Sequence, residues 1–469
     1  MRLRLLGVVG LLALASGCSL IEGDFHECDA KRACGSGRAC VKSYCVAVNC
    51  TQVVGAADAA NAIVFGATLP TTLADGSTDA SEVTDFNAAV LAVDEVNQRG
   101  LFGRPLVVYA CDNESNVDKL KLELDYLMNA KKAVAVLTSG SSQTLAAITQ
   151  ALPRGVVIMT ATATSQELTS VPDRVTAPGG GEVGLLWRTA PSDDIQSKVI
   201  ADQLLTNPQM RPELVGLTRV GILYVDDPYG QGLANSVLQR LQAGGVLAKA
   251  IQYPRGADAS AAVTQLDGFA PNLTVLVGFA ADLNPILKLA ATKAKLASGS
   301  GHRWWLTDSA KDPSLLADAT VRAQLNGSFG TEPAQGAGPA YLTFSQRFQS
   351  RYGVDASSYS FTAHSYDAMY LLALGAAYAM GPAHDQEVTG VRLAQGLARV
   401  SSGTLYPLGP TAFVAAAAEL SSGASINVDG TSGKLDFDPL TGDVTSPISI
   451  WRVKGMTFET VQTIDPTGP

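Results

Sequence analysis

Histidine is scarce in this chain, and its few histidines form no catalytic or metal-binding pattern. The four among 469 residues are His26, His302, His364 and His384. No two of them fall in an HExxH pair, and Gly140-Ser141-Ser142-Gln143 lacks the glycine spacing of the turn that exposes a hydrolase nucleophile. The sequence therefore predicts a protein that is not an enzyme and that carries no cofactor and no metal.

Runs of basic residues are also missing, and the formal net charge is −9. This balance argues against a nucleic-acid partner, which a basic surface would attract. Acidic residues do cluster at Asp436, Asp438 and Asp443, but without the spacing of an EF-hand calcium loop. We interpret that cluster as a surface turn.

No apolar run is long enough to cross a membrane as a helix; the longest at the amino terminus covers residues 5–15. With Arg2 and Arg4 before it and small residues after it, residues 1–17 are typical of an export signal. Ala15-Ser16-Gly17-Cys18 resembles the lipobox of bacterial lipoproteins, which predicts lipidation of Cys18. Ser19 at the next position favours the outer membrane. The alternative is an ordinary secretory signal that happens to precede a cysteine.

Six cysteines remain after Cys18, an even number that predicts disulfides in an exported protein. They are Cys28, Cys34, Cys40, Cys45, Cys50 and Cys111. The first four lie in a polar stretch too poor in apolar residues to form a core, so we expect a small module held by two bridges of open connectivity. By elimination Cys50 and Cys111 would form the third bridge. A zinc site is the alternative for the first four, but their spacing and the oxidising compartment disfavour it.

From about Asn61 onward, short apolar strands alternate with amphipathic helices, which is typical of an α/β protein with parallel sheets. A first series of strands is predicted at residues 63–69, 106–110, 133–137 and 156–159. After Gly179-Gly180-Gly181 a second series is predicted at residues 185–189, 220–225, 246–253, 273–277 and 304–307. Two series predict two Rossmann-like lobes, each with a parallel central sheet.

The predicted domain boundaries follow from these series. The signal covers residues 1–17 and a lipidated, cysteine-rich tail with its linker covers 18–60. Lobe 1 is predicted at 61–186 with 331–424, and lobe 2 at 187–330 with 425–463.

Two successive strand-to-helix turns within residues 133–169 carry the strongest sign of a binding site. Ser141 is expected to cap one helix, and Thr164-Ser165-Gln166-Glu167 has capping-box spacing at the next. Free backbone N–H groups at such turns favour a carboxylate or phosphate. Hydroxyls that only cap their own helices are the alternative, but two such turns at neighbouring strand ends favour a ligand crevice.

From about Asn61 to Val461 the sequence resembles the type I periplasmic binding proteins of the leucine/isoleucine/valine-binding branch, the substrate-binding subunits of amino-acid ABC transporters. The resemblance depends on seven short motifs that occur in the family's order: Ala67-Thr68-Leu69-Pro70, Ala92-Val93-Asp94-Glu95-Val96-Asn97, Ala163-Thr164-Ser165-Gln166-Glu167-Leu168-Thr169, Trp187-Arg188-Thr189-Ala190-Pro191-Ser192-Asp193, Tyr229-Gly230-Gln231-Gly232, Tyr366-Asp367-Ala368 and Gly433-Lys434-Leu435-Asp436-Phe437-Asp438. It implies two lobes joined by a three-segment hinge, with a ligand held between them.

The resemblance also implies roles for individual residues. Ser141, with Ser142 and nearby N–H groups, would bind the ligand's α-carboxylate. Its ammonium would meet the Thr162 carbonyl and the Thr164 hydroxyl, on either side of Ala163, and Asp308 from lobe 2. Tyr229 occupies the family's lid position, and Phe279 falls where the family places another pocket aromatic.

Two functions are compatible with this reading. In the first, a lipid-anchored receptor facing the periplasm delivers an amino acid or similar small carboxylate to an ABC permease. In the second, a protein of the same fold serves as a sensor or an envelope-assembly scaffold. The zwitterion site favours the first function, and the cysteine-rich tail, which a simple carrier does not need, favours the second.

Overall fold

A computed structural model describes residues 27–29, 32, 34–35, 37–41, 43–206 and 219–466. The predicted signal, residues 1–17, and the predicted lipidation site, Cys18, lie outside the described residues. Within those residues no helix has both the length and the apolar character needed to cross a bilayer.

Nineteen strands are described. In chain order they are β1 (Arg38–Val41), β2 (Tyr44–Ala47), β3 (Gln52–Val54), β4 (Ile63–Leu69), β5 (Leu106–Asp112), β6 (Ala135–Thr138), β7 (Val157–Thr160), β8 (Arg174–Thr176), β9 (Glu182–Gly184), β10 (Leu186–Arg188), β11 (Arg219–Val225), β12 (Leu247–Tyr253), β13 (Leu273–Val277), β14 (Arg303–Leu306), β15 (Phe329–Pro333), β16 (Thr404–Pro407), β17 (Ile426–Asp429), β18 (Ile448–Lys454) and β19 (Thr457–Ile464).

The described α-helices lie between these strands. They are α1 (Ala80–Arg99), α2 (Val117–Asp125), α3 (Ser141–Ala151), α4 (Asp193–Thr206), α5 (Pro228–Ala243), α6 (Ser260–Phe269), α7 (Ala280–Ala290), α8 (Pro313–Ala317), α9 (Ala319–Leu325), α10 (Pro339–Tyr352), α11 (Thr362–Met380), α12 (Gly390–Leu397) and α13 (Phe413–Ser421). Their ends follow local rules. In α1, for example, the Asp79 carboxylate accepts the N–H groups of Ser81 and Glu82, and Gly100 ends the helix with φ 84°.

Two sheets form the centres of two lobes, which confirms the predicted α/β class. The sheet of lobe 1 has the order β10-β7-β6-β4-β5-β3, and the sheet of lobe 2 has the order β12-β11-β13-β14-β15-β18-β19. The interior strands are parallel, while β3, β18 and β19 pair antiparallel at the edges. Both sheets are therefore mixed, with parallel strands inside and antiparallel pairing at one edge.

Each lobe has its own hydrophobic core. One core draws its residues from 39–187 and 344–444, and the other from 199–325 and 448–453. The chain consequently crosses between the lobes three times: after β10, after β15 and just before β18. These three segments form the hinge of the type I periplasmic binding fold.

The structure corrects the predicted lobe boundaries at two places. The strand predicted at 185–189 as the start of lobe 2 is β10, which pairs in parallel with β7 and belongs to lobe 1. Residues 425–444, also assigned to lobe 2, lie with lobe 1, because β17 pairs with β16 and Leu435 and Phe437 are buried in the core of lobe 1. In both segments the buried apolar side chains belong to the core of lobe 1.

The cysteine-rich tail is attached to lobe 1. Disulfides join Cys28 to Cys40, Cys34 to Cys45 and Cys50 to Cys111. The sulfur atoms of Cys28, Cys34 and Cys45 lie close together, but they are oxidised and offer no thiolate to a metal. After the β1–β2 hairpin, β3 pairs with the outer edge of β5. The tail thus covers a sheet edge that would otherwise be open to pairing.

Candidate ligand-binding site

A cleft of about 970 Å³ lies between the two lobes. Its walls are formed by loops that follow β4, β6 and β7 in lobe 1 and β12, β13 and β14 in lobe 2. The carboxyl ends of parallel strands from both sheets therefore face the same space, which is where α/β proteins bind ligands.

The turn between β6 and α3 reaches the cleft through Ser139 and Gly140. Gly140 is the N-cap of α3 and has φ 75°, a conformation that favours glycine. Its N–H donates to Thr162 Oγ1 over 2.9 Å, and the Ser139 hydroxyl donates to Glu82 Oε1 over 2.6 Å. The Gly140 N–H and the Ser139 hydroxyl therefore both donate to other side chains of lobe 1.

Ser141 does not cap α3, contrary to the prediction. It is the first residue of the helix, and its hydroxyl oxygen accepts the N–H of Ser165 over 3.2 Å, away from the cleft. Ser142 follows on the helix and is likewise absent from the cleft wall. The roles of Ser141 and Ser142 toward a ligand carboxylate stay predictions, and Ser139, two residues earlier than Ser141, is the serine of this turn that lines the cleft.

The second turn, after β7, contributes Thr162 to the cleft wall. Ala163 and Thr164 are buried behind it; the Ala163 N–H donates to Thr160 Oγ1 over 3.2 Å, and the Thr164 carbonyl accepts the N–H of Asp193 over 2.8 Å. Ser165, not Thr164, caps the short 3-10 helix that follows. Of the three predicted residues in this turn, only Thr162 faces the cleft.

Asp308 lies at the end of β14 and lines the lobe 2 side of the cleft. It is 1% exposed, and its Oδ1 accepts the Tyr229 hydroxyl over 2.5 Å and Gln196 Nε2 over 3.4 Å. Its Oδ2 has no hydrogen-bond partner among the described residues. Burial raises the pKa of Asp308 to about 6. This carboxylate is therefore held through Oδ1, while its Oδ2 is buried without a hydrogen-bond partner among the described residues.

The two predicted aromatic residues behave differently. Tyr229 lies behind Asp308, 3% exposed, and its hydroxyl also donates to Thr307 Oγ1 over 2.8 Å, so it orients the carboxylate and does not cover the cleft. Phe279 does line the cleft, with its ring centroid 5.8 Å from that of Tyr229. The guanidinium carbon of Arg255 lies 3.9 Å from the Phe279 ring centroid.

Three acidic residues at the start of α1 line the cleft, and the sequence prediction missed them. Asp79, Glu82 and Asp85 follow one another at three-residue spacing, which places them on one helix face. Burial, with the nearby charges of Asp79 and Asp85, holds the pKa of Glu82 well above its usual range, and burial likewise raises that of Asp85. Glu82 Oε2 has no partner among the described residues. The three-residue spacing of these acids is the sequence pattern from which their common helix face could have been predicted.

Arg255 is the single lysine or arginine among the described residues of the cleft wall. Its Nη1 lies 3.6 Å from Asp227 Oδ2 within lobe 2, and its Nη2 donates to Ser115 Oγ of lobe 1 over 3.4 Å. The side chain therefore bridges the mouth of the cleft. No described histidine lines this site.

Solved structures of solute-binding proteins share this architecture. The leucine-binding protein of Thermotoga maritima is 17% identical, with 86% of this chain and 99% of that chain covered and a TM-score of 0.67. A branched-chain amino acid transporter substrate-binding protein of Streptococcus pneumoniae, solved with isoleucine, is 18% identical, with 85% and 99% covered and a TM-score of 0.63. An ABC-transporter solute-binding protein of Rhodopseudomonas palustris, solved with 3,4-dihydroxybenzoic acid, is 16% identical, with 87% and 98% covered and a TM-score of 0.64.

These similarities establish the fold, while no curated protein matches the chain by sequence. Family membership comes from the sequence profile described as periplasmic binding protein, which matches residues 62–453. The chain therefore belongs to the periplasmic binding protein family, a family of extracytoplasmic binding proteins and not of enzymes.

Proposed function

We propose that this protein is the substrate-binding component of an ABC transporter and that its lobes close around a small solute bearing an amino group, in the class of amino acids and similar small carboxylates. The observation that carries the proposal is the buried Asp308 carboxylate on the cleft wall, whose Oδ2 has no hydrogen-bond partner among the described residues. A ligand ammonium there would supply the missing partner. Because a ligand between the lobes contacts both of them only in the closed form, its binding would favour closure.

A thermal-shift screen tests this proposal. A soluble form that starts at Ser19 would be screened against the proteinogenic amino acids and against benzoates, since relatives were solved with isoleucine and with a dihydroxybenzoate. A ligand at a hundred times its dissociation constant adds about 2.7 kcal/mol to the free energy of unfolding. The shift should vanish in Asp308→Asn and persist in Asp436→Asn, a matched change at an exposed acid of lobe 1. A shift that survives Asp308→Asn would contradict this site.

We further propose that Cys18 is lipidated and holds the protein at the periplasmic face of a membrane, most simply the outer membrane. The support is the lipobox-like Ala15-Ser16-Gly17-Cys18 together with membership in an extracytoplasmic family. Intact-mass analysis of the protein from membranes should find a diacylglyceryl cysteine at the mature amino terminus. Cys18→Ser should leave the protein without that lipid; an unmodified native chain would contradict the proposal.

A sensor or scaffold of the same fold is the second candidate, favoured by the tail that Cys50–Cys111 ties to lobe 1. Deletion of the gene for this protein in its native cell distinguishes the two functions. Loss of uptake of the solute found in the screen fits the transport role. Uptake that is independent of this protein fits the sensor or scaffold.

A further inference from the structure

Two of the sequence motifs that carry the family resemblance contact each other across the lobes. Ser165 and Gln166 belong to the turn after β7, and Gly232 belongs to α5; none of the three lines the cleft. The short 3-10 helix Gln166–Ser170 of lobe 1 lies against α5 of lobe 2. These motifs therefore join the two lobes at a place outside the cleft wall.

Three residues of α5 form a row that faces lobe 1. Pro228, Gly232 and Ser236 are spaced four residues apart, which places them above one another on one side of a helix. Leu233 and Val237, the residues that follow Gly232 and Ser236, are buried in the core of lobe 2. The helix is thus anchored in its own lobe while this row meets the other lobe.

Each residue of the row has a contact in lobe 1. The Ser165 hydroxyl donates to the Pro228 carbonyl over 3.1 Å, and Gln166 Nε2 donates to Ser236 Oγ over 2.6 Å. A Cβ atom at Gly232 would lie 3.7 Å from Ser165 Oγ and 4.0 Å from the Gln166 backbone nitrogen. An alanine methyl group therefore fits there, whereas a leucine side chain would extend into the space that lobe 1 occupies. We call these five residues the α5 contact.

The α5 contact differs from other bonds between the lobes, because those bonds involve the cleft wall. Arg255 Nη2 donates to Ser115 Oγ over 3.4 Å, and the Ser360 hydroxyl donates to the Asp308 carbonyl over 2.9 Å. A solute in the cleft would lie beside those four residues and change their contacts directly. The α5 contact, in contrast, is available at the same strength with any solute and with none.

We propose that the α5 contact is made when the lobes close and broken when they open, so that it sets the fraction of closed protein before a solute binds. A solute held by both lobes binds the closed form, and its apparent affinity scales with that fraction. Ser165, Gln166 and Ser236 are then positioning residues that act on the solute through the lobes. The α5 contact concerns the balance between two lobe arrangements, and so it goes beyond the proposed function, which concerns the solute.

Small-angle X-ray scattering of the ligand-free soluble form that starts at Ser19 tests the inference. Gly232→Leu should raise the radius of gyration above that of the native chain, because the added side chain keeps the lobes apart. Gly268→Leu is the matched control, at a helical glycine of lobe 2 whose Cβ position has open space around it, and should leave the radius unchanged. Gly232→Ala should likewise match the native chain.

A second variant removes the bonds without adding bulk. In Ser165→Ala combined with Ser236→Ala, each lost hydrogen bond of ordinary net strength should lower the ratio of closed to open protein about fivefold. Isothermal titration with isoleucine and with 3,4-dihydroxybenzoate should show a matching loss of affinity for whichever compound the native chain binds. Asn235→Ala, at an exposed neighbouring position of α5, should leave both the radius and the affinity unchanged.

The scattering result separates this inference from the proposed function. Equal radii for the native chain, Gly232→Leu and Gly268→Leu, all unfolding cooperatively, overturn the α5 contact as a determinant of closure, whether or not a solute binds. If Gly232→Leu does not fold, a native radius and native affinity in the double alanine variant overturn it. A larger radius in Gly232→Leu together with no binding of amino acids or benzoates supports the α5 contact and counts against the solute site.

Discussion

The Tyr229 hydroxyl lies 2.5 Å from Asp308 Oδ1, and Oδ2 of the same carboxylate is buried without a hydrogen-bond partner among the described residues. The tyrosine fixes the direction of the acid, and Gln196 adds a weaker bond at 3.4 Å. Asp308 is thereby held in one orientation before any ligand arrives, so that little conformational freedom is lost on binding. This preorganisation has a cost in the empty protein, which can be measured.

Asp308→Asn should stabilise the empty protein at neutral pH. Burial raises the pKa of Asp308 to about 6, and Asp193, buried nearby, is coupled to it. A carboxyl group with a raised pKa makes the native free energy of unfolding fall as pH rises from about 4 to beyond 6. The variant should lack this fall and be more stable by about 1–3 kcal/mol above pH 6. Urea unfolding between pH 4 and pH 7.5 checks it; parallel curves for the two proteins would refute the assignment.

Glu123, which is not part of the cleft wall, is predicted to impose a second pH dependence of stability. It is 2% exposed, accepts the Thr68 hydroxyl over 2.6 Å, and burial raises its pKa to about 8. The free energy of unfolding should therefore fall between about pH 4.5 and pH 8. Glu123→Gln should remove this fall and stabilise the protein by up to about 4 kcal/mol at pH 8, with no difference near pH 4. Glu387→Gln, at an exposed position, serves as the control.

Asp443→Ala should destabilise lobe 1 at the base of the second turn. Arg188 is 1% exposed and donates through Nε and Nη2 to the Asp443 carboxylate, over 2.6 and 2.8 Å. Removal of the acid leaves a buried guanidinium group without its counter-charge. Because Asp443 is partly exposed, we expect a loss of about 2–4 kcal/mol in urea unfolding. Asp436→Ala, at a neighbouring exposed acid, should change stability by less than about 0.5 kcal/mol.

Removal of the Cys50–Cys111 bridge should lower stability more than removal of a bridge inside the tail. Its cysteines are 61 residues apart, whereas Cys28 and Cys40 are 12 apart. The longer closed loop restricts the unfolded chain more, with expected losses of about 4 and about 3 kcal/mol respectively. Thermal unfolding of the paired serine variants measures the difference. A larger loss for the shorter loop would mean that the tail hairpin, not the bridge to β5, supports the fold.

The sequence predicted the succession of strands and helices well, because local signals determine it. The predicted limits of the strand at residues 63–69 coincide with β4. The sequence did not show to which of the two sheets each strand belongs. Leu186–Arg188 has the composition of a central strand, and its place beside β7 depends on which sheet has a free edge. That property is decided by tertiary packing over long sequence distances.

The structure places some of the predicted site residues on the cleft wall and others behind it. Thr162, Phe279 and Asp308 line the cleft, whereas Ser141, Thr164 and Tyr229 lie behind its wall. A shift of one or two residues along a turn exchanges inward for outward side chains, and composition does not determine that register. The roles implied for these residues toward a ligand stay predictions.

If the N-terminal segment is tethered as proposed, the attachment of the tail to lobe 1 would determine which lobe moves when a ligand closes the cleft. Because β3 extends the sheet of lobe 1 and Cys50 is bonded to Cys111 in β5, a pull on the N-terminal segment is transmitted to lobe 1. Relative to such a tether, lobe 1 would stay in place and lobe 2 would move. A partner docked near the tether would find one fixed surface in both states, and it would sense occupancy of the cleft through the position of the other lobe.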